Sequence, residues 1–223
     1  MIKAKWLYSE LPVSLSQLSK MMKDNQYTES SGRGFLLSTS TVSKLSGKFI
    51  EKVVQKSVVE DPFGQTLDVE SISYYVCNFN WSSNSNYMYI LEPPRSLRKF
   101  VNELHHLTGF GLVLSEVNIS PEQWLKAIEG SADVVTILEI SSYGIRTSQN
   151  STAKVSVGGT SDIRAAFIDM MRGKRYLVDS VKFKAEYESL IVKGELTKTG
   201  ICRLKSSNTN FILEKLRGAL EKA

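Results

Sequence analysis

The feature that most restricts the fold is an internal echo. Ser9-Glu10, Leu11, Val13-Ser14 and Gln17-Leu18 are answered, about 106 residues later, by Ser115-Glu116, Val117, Ile119-Ser120 and Gln123-Trp124 at the same spacings. Ser14 and Ser120 stand where an N-cap hydroxyl accepts from the N3 amide, and Gln17 and Gln123 where an N3 side chain reaches back, which is the pattern of a capping box. Val13 with Leu18, and Ile119 with Trp124, take the two positions of a hydrophobic staple. Pro121 falls at the first helical position, where its missing N–H is harmless. Each run therefore predicts a strand, a short link and a stapled helix.

A second match sets Phe100-Val101-Asn102-Glu103 against Phe211-Ile212-Leu213-Glu214, each in the amphipathic helix expected to end its half. Two matches in chain order imply duplication: a first α+β half over 1–109 and a second over 110–223. A module of about 110 residues has little stability to spare, so the halves are expected to pack as one compact unit about a pseudo-dyad.

Periodicity and turn chemistry fill in the plan. The first half predicts a strand over 2–8, a helix over 14–24, and a loop over 25–34 containing Ser31-Gly32-Arg33-Gly34. Strands follow at 35–41, 47–59, 66–80 and 87–92, separated by Asp61-Pro62-Phe63-Gly64 and by a Ser/Asn-rich turn, the signature of an antiparallel meander. Pro93-Pro94 stops the last of them before a helix over 95–107, whose apolar face is Leu97, Phe100, Val101, Leu104 and Leu107. The second half predicts a strand over 111–118, helices over 121–129, 161–172 and 209–222, and strands over 133–145, 152–158, 174–184, 187–197 and 199–206. The expected fold class is α+β, each half a mostly antiparallel sheet with helices on one face.

Composition narrows the function classes. With 42% hydrophobic residues in 223, the chain has a core and is not a disordered one. Two cysteines, Cys77 and Cys202, without C-x-x-C spacing, fit a reducing cytoplasm and small core residues, not a disulfide framework or a nucleophile. The first residues lack an apolar leader, and charges interrupt every apolar run, so no membrane partner is expected. Short length and these features suit a bacterial or phage protein of the DNA-handling or defence kind.

Charge is uneven along the chain: about +2 over 1–110, about −3 over 111–170 and about +6 over 171–223. On the strand over 174–184, burial of Leu177, Val181 and Phe183 would turn Lys174, Tyr176, Lys182 and Lys184 outward. Neighbouring strands would add Lys193, Arg203 and Lys205, with Tyr187 beside them. Cations for the backbone and rings for the bases make a single-strand or phosphate platform, to which Arg33 could contribute from its glycine-rich loop. The expected partner is nucleic acid, DNA or RNA. A solvated sheet face kept soluble by lysine is the plainer account. The alternative function is a structural or adaptor subunit of a larger complex, with a protein partner or a second copy of the chain. The aromatic run over 74–81 reads as a central strand, or as a partner-binding face if Tyr87 and Tyr89 point the same way.

Catalytic patterns are missing. Neither a nucleophile elbow nor a phosphate-binding P-loop occurs. Gly109-Phe110-Gly111 suits a helix C-cap, and His105-His106, the only histidines, are neighbours pointing about 100° apart on a helix end. Asp61, Asp68, Glu70, Asp133 and Glu139 lack the lysine continuation of a metal-dependent nuclease. The expectation is a non-enzymatic protein with no catalytic residues, no metal and no cofactor.

Overall fold

A computed structural model describes residues 1–60, 62–109, 111–148 and 150–221. Asp61 of the expected turn, Phe110 of the Gly-x-Gly and Lys222 of the last helix lie outside them. Within the described residues the chain is α+β, with eleven strands and five helices. It divides into two compact units: a flanking unit of Met1–Ser9, Ser85–Tyr89 and Leu114–Ala223, and an inserted unit of Glu10–Asn84 and Ile90–Val113.

The chain opens with β1 (Ile2–Glu10) and enters the inserted unit through α1 (Leu15–Asp24). The α1 capping box forms as the sequence predicts: the Gln17 amide donates to the Ser14 hydroxyl at 3.2 Å, and the Ser14 amide to Gln17 Oε1 at 3.0 Å. Then come β2 (Arg33–Ser40), β3 (Lys44–Glu60) and β4 (Thr66–Ser82), paired antiparallel in that order. After β5 (Tyr87–Leu91) the inserted unit closes with α2 (Arg98–Thr108), which ends on Gly109 in the left-handed conformation. Its core is aromatic. Phe79 and Phe100 stack with centroids 5.6 Å apart, and Phe35, Phe49 and Trp81 surround them.

Both strands of the β3–β4 hairpin are 17 residues long, but β2 accompanies β3 only as far as the Arg33↔Glu51 pair. From Val53↔Ser73 to Glu60↔Thr66 the hairpin is therefore a ribbon without β2 beside it. Side chains on both of its faces are exposed: Val54, Val58 and Ile72 on one, Val59, Leu67 and Val69 on the other, with Phe63 at the tip 88% exposed.

The flanking unit continues through β6 (Val113–Glu116), α3 (Pro121–Glu129), β7 (Val134–Ser148), β8 (Ser151–Gly158) and α4 (Arg164–Met170). It closes with β9 (Leu177–Tyr187), β10 (Leu190–Thr197), β11 (Ile201–Lys205) and α5 (Thr209–Leu220). Its sheet runs β5-β1-β11-β10-β9-β7-β8, with β6 also on β1. One face of the sheet is buried: Ala4, Trp6, Val181, Phe183, Ala185, Val192, Leu196, Cys202 and Leu204 are all at most 1% exposed. Helix α3 packs on β9 and β10 and also against α5. Trp124 is fully buried, donates from its indole to Leu216 O at 3.1 Å and meets Trp6 edge-on at 6.4 Å. Gly194, between Phe183 and Leu204 on adjacent strands, has no room for a side chain, since a Cβ would lie 2.7 Å from the Phe183 ring.

Four expectations change. The second capping box does not form, because the Ser120 hydroxyl turns to Glu122 Oε2 at 3.3 Å and leaves Gln123 no partner at the cap. The two terminal-helix motifs sit differently, Phe100 fully buried and Phe211 38% exposed, with Ile212 taking the inward place. The strand expected at 174 starts at Leu177, because residues 171–174 still turn out of α4, with the Lys174 amide donating to Met171 O. Leu177 is also not buried. Asp179 is an extra residue opposite β7, where Ser141 pairs Ser180 and Ser142 pairs Val178, so the alternation switches phase: Val178 points inward and Leu177 is 60% exposed.

Candidate nucleic-acid interface

The outward face of the flanking sheet is built row by row from its registers. Beyond the Asp179 bulge, even-numbered residues of β9 face out because Val181, Phe183 and Ala185 face in. Lys184 pairs with Lys193, and Lys193 with Lys205, so three lysines stand side by side on β9, β10 and β11. Adjacent strands are about 4.8 Å apart, so this row spans roughly 10 Å. Thr136 of β7 extends it.

The next row is ordered differently. Glu139, Lys182, Glu195, Arg203 and Lys3 follow one another across β7, β9, β10, β11 and β1. Lys182 donates to Glu139 at 2.8 Å and Arg203 to Glu195 at 2.6 Å. The hydrogen bond from Lys182 to Glu139 holds that ammonium protonated above its ordinary range. From Glu139 to Arg203 the charges of this row cancel in pairs, and Lys3 follows beyond them. In the lysine row only Lys184 has a carboxylate, Glu186 at 2.5 Å. Lys193 and Lys205 are exposed and form no ion pair among the described residues.

The structure therefore brings Lys182, Lys184, Lys193, Arg203 and Lys205 onto one face and leaves Lys174, Tyr176 and Arg33 off it. Lys174 and Tyr176 belong to the link between α4 and β9, where the Tyr176 ring meets Phe167 edge-on at 5.3 Å. Arg33 starts β2 in the inserted unit and points toward Glu103 at 3.9 Å. Tyr187 is on the helix-covered side of β9, against Phe211 at 5.5 Å, so the lysine face has no tyrosine of β9 beside it.

A second cationic group was not legible in the sequence. A cleft of about 960 Å³ is lined by Arg146, Lys174, Arg175, Tyr176 and Leu177, with Gly144 and Gly173 at its turns. Arg146 and Arg175 carried no role in the sequence reading of the interface, because the cleft joins positions about 30 apart. The one available signal was Gly173-Lys174-Arg175, a basic turn after a helix.

The cysteines are core residues. Burial pushes the Cys77 and Cys202 thiols from 9.0 up to about 12, which leaves them protonated and unreactive at neutral pH. Among the described residues no three His, Cys, Asp or Glu side chains gather as a metal would need, and no helix is long and apolar enough to cross a membrane. His105 and His106 lie in the last turn of α2. No protein-family model matches the chain, and neither does any curated protein.

Proposed function

We propose that this is a non-enzymatic nucleic-acid-binding protein, which takes a strand of DNA or RNA across the outward face of β9, β10 and β11. The observation that supports this is the row Lys184, Lys193 and Lys205. Like charges directly opposite on neighbouring strands destabilise a sheet; the adjoining row alternates signs from Glu139 to Arg203, whereas this one is cationic on all three strands. A phosphodiester backbone removes the repulsion and releases its counterions. With lysines and no base-stacking tyrosine of β9 on this face, the partner is read through its phosphates, so sequence matters little to affinity. In this reading the similar entries into α1 and α3 are the trace of one duplicated α+β module. The setting proposed is the cytoplasm, in a bacterial or phage DNA-handling or defence system.

The test is fluorescence anisotropy with labelled single-stranded and double-stranded DNA and RNA at two salt concentrations. Binding is expected to weaken steeply with salt, and to be lost in Lys193→Glu with Lys205→Glu at nearly unchanged thermal stability. A double variant that binds like the parent overturns the reading.

One observation favours a second reading, a structural or adaptor subunit. The β3–β4 ribbon exposes apolar side chains on both faces, a surface a protein partner or a second copy of the chain could cover. A partner that co-purifies through high salt with the full chain, and not with a chain whose ribbon is trimmed, would select it.

A further inference from the structure

Three cations line the cleft beside the start of β9 without an ion pair among the described residues, whereas most other cations of the flanking unit outside the lysine row have an acid. Elsewhere the pairs are close: Lys5 with Glu116, Lys154 and Lys198 with Asp179, Arg164 with Glu129, Arg172 with Asp169. The hydrogen bond from Lys154 holds the Asp179 carboxyl below the usual carboxylate range, so that acid is already engaged. Arg146, Lys174 and Arg175 are exposed, line one cleft and form no ion pair among the described residues. Among the described residues, none lining that cleft is a carboxylate.

The backbone accounts for the convergence. Tyr143 pairs with Leu177, so in an antiparallel ladder the residues after 143 run toward those before 177. The β7–β8 register shifts between Ser142 and Ile145, and this bulge at Tyr143-Gly144 re-aims the strand that carries Arg146. On the other side Gly173, at φ 74°, ends α4 with a left-handed turn and leads directly into Lys174 and Arg175. The floor is apolar: Leu177 is 60% exposed, and Tyr176 is half-buried with its orientation set by fully packed Phe167. The volume falls within the roughly 300–1,000 Å³ of small-molecule sites.

We propose that this cleft binds a nucleotide phosphate, the phosphate on Arg146, Lys174 and Arg175 and the base against Tyr176 and Leu177. Three cations around one opening repel each other until an anion enters, and guanidinium groups match phosphate oxygens two at a time. The ring and the leucine select a phosphate that carries a base over a bare one. This goes beyond the strand-binding reading: it uses none of Lys184, Lys193 or Lys205. The same chemistry is offered by a free nucleotide and by the phosphorylated end of a strand.

Calorimetric titration of the full chain with ATP and with inorganic pyrophosphate, at low salt, tests it. Saturable ATP binding is expected. It should weaken roughly tenfold or more in Lys174→Glu with Arg175→Glu, since two charge-assisted contacts are lost, and be unchanged in Lys193→Glu with Lys205→Glu. Tyr176→Ala should weaken ATP and spare pyrophosphate, whereas Tyr176→Phe retains both. An oligonucleotide with and without a 5′-phosphate separates the sources: a preference for the phosphorylated end that vanishes in the Lys174/Arg175 variant identifies the strand terminus, and ATP binding without that preference identifies the free nucleotide. No saturable binding of ATP together with no preference for a phosphorylated end overturns the proposal, as does binding that the Lys174/Arg175 variant leaves intact. Equal loss of both probes in Tyr176→Ala overturns the base contact. Failure of the strand-binding reading is seen separately, in unphosphorylated oligonucleotide against the Lys193/Lys205 variant.

Discussion

The outward face of β9–β11 and the far half of the β3–β4 hairpin are both exposed antiparallel ladders, and they solve opposite problems. The first is the outer side of a wide sheet whose other side is buried and carries α3, so its outward side chains are spared the work of holding the strands together and can be charged. The second is two strands with neither β2 beside it nor a buried face, so its valines and Leu67 contribute ladder and cross-strand contacts but no core. The contrast teaches that what lies behind a ladder decides what its exposed face is free to carry. Over 53–73 the hairpin carries Lys56 against Glu60, Asp61, Asp68 and Glu70, so its net charge is opposite in sign to that of the lysine row.

The largest expected effect falls on the backing of the sheet. Trp124→Ala should cost roughly 3–5 kcal/mol, read as a lower urea midpoint, because the indole fills space against Trp6 and satisfies Leu216 O. Gly194→Val follows at roughly 1–3 kcal/mol or more, since its side chain has to displace Phe183. The buried thiols come next. Cys77 and Cys202 hold their protons up to about 12 when folded and only to about 9.0 otherwise, so folding is undisturbed below pH 9 and loses stability as pH rises from there toward 12. A urea midpoint that falls between pH 8 and pH 10, and less so with both cysteines changed to Ala, checks this. The smallest effect belongs to the ribbon: Val58→Ala or Val69→Ala should change stability by under about 0.5 kcal/mol, and its amides beyond Lys52 and Tyr74 should exchange with solvent faster than those of β9. A ribbon protected as well as β9 would break the comparison.

Much of the architecture was legible because it is written locally. The two hairpin strands, expected at 47–59 and 66–80 and found at 44–60 and 66–82, are marked by β-branched residues and a Pro-Phe-Gly turn. The α3 helix matches its expected span, fixed by Ser120, Pro121 and Gly130. What was not legible depends on partners distant in sequence. Nothing near residue 179 announces a bulge, because the extra residue exists only relative to β7, and the error moved Leu177 to the wrong face. Likewise Lys182 and Arg203 look like available cations until the register sets Glu139 and Glu195 beside them. Lys174 and Tyr176 fit a strand's alternation yet stand in the link between α4 and β9, and Arg146, about 30 residues earlier in sequence, lines the same cleft.

The register of β1 has a consequence for how the chain reaches this state. Ile2 pairs with Leu204 and Lys5 with Ile201, so the first strand waits for the eleventh across some 200 residues, while β2, β3 and β4 close on near neighbours. Loops of that length close late and their strands fold slowly. During synthesis the inserted unit can therefore assemble first, β1 can meet β5 and β6, and the flanking sheet is completed only when β11 arrives. Until then Trp6, whose amide donates to Gly200 O in the finished sheet, lacks that partner, and an unpaired strand edge of this kind is what a chaperone shields.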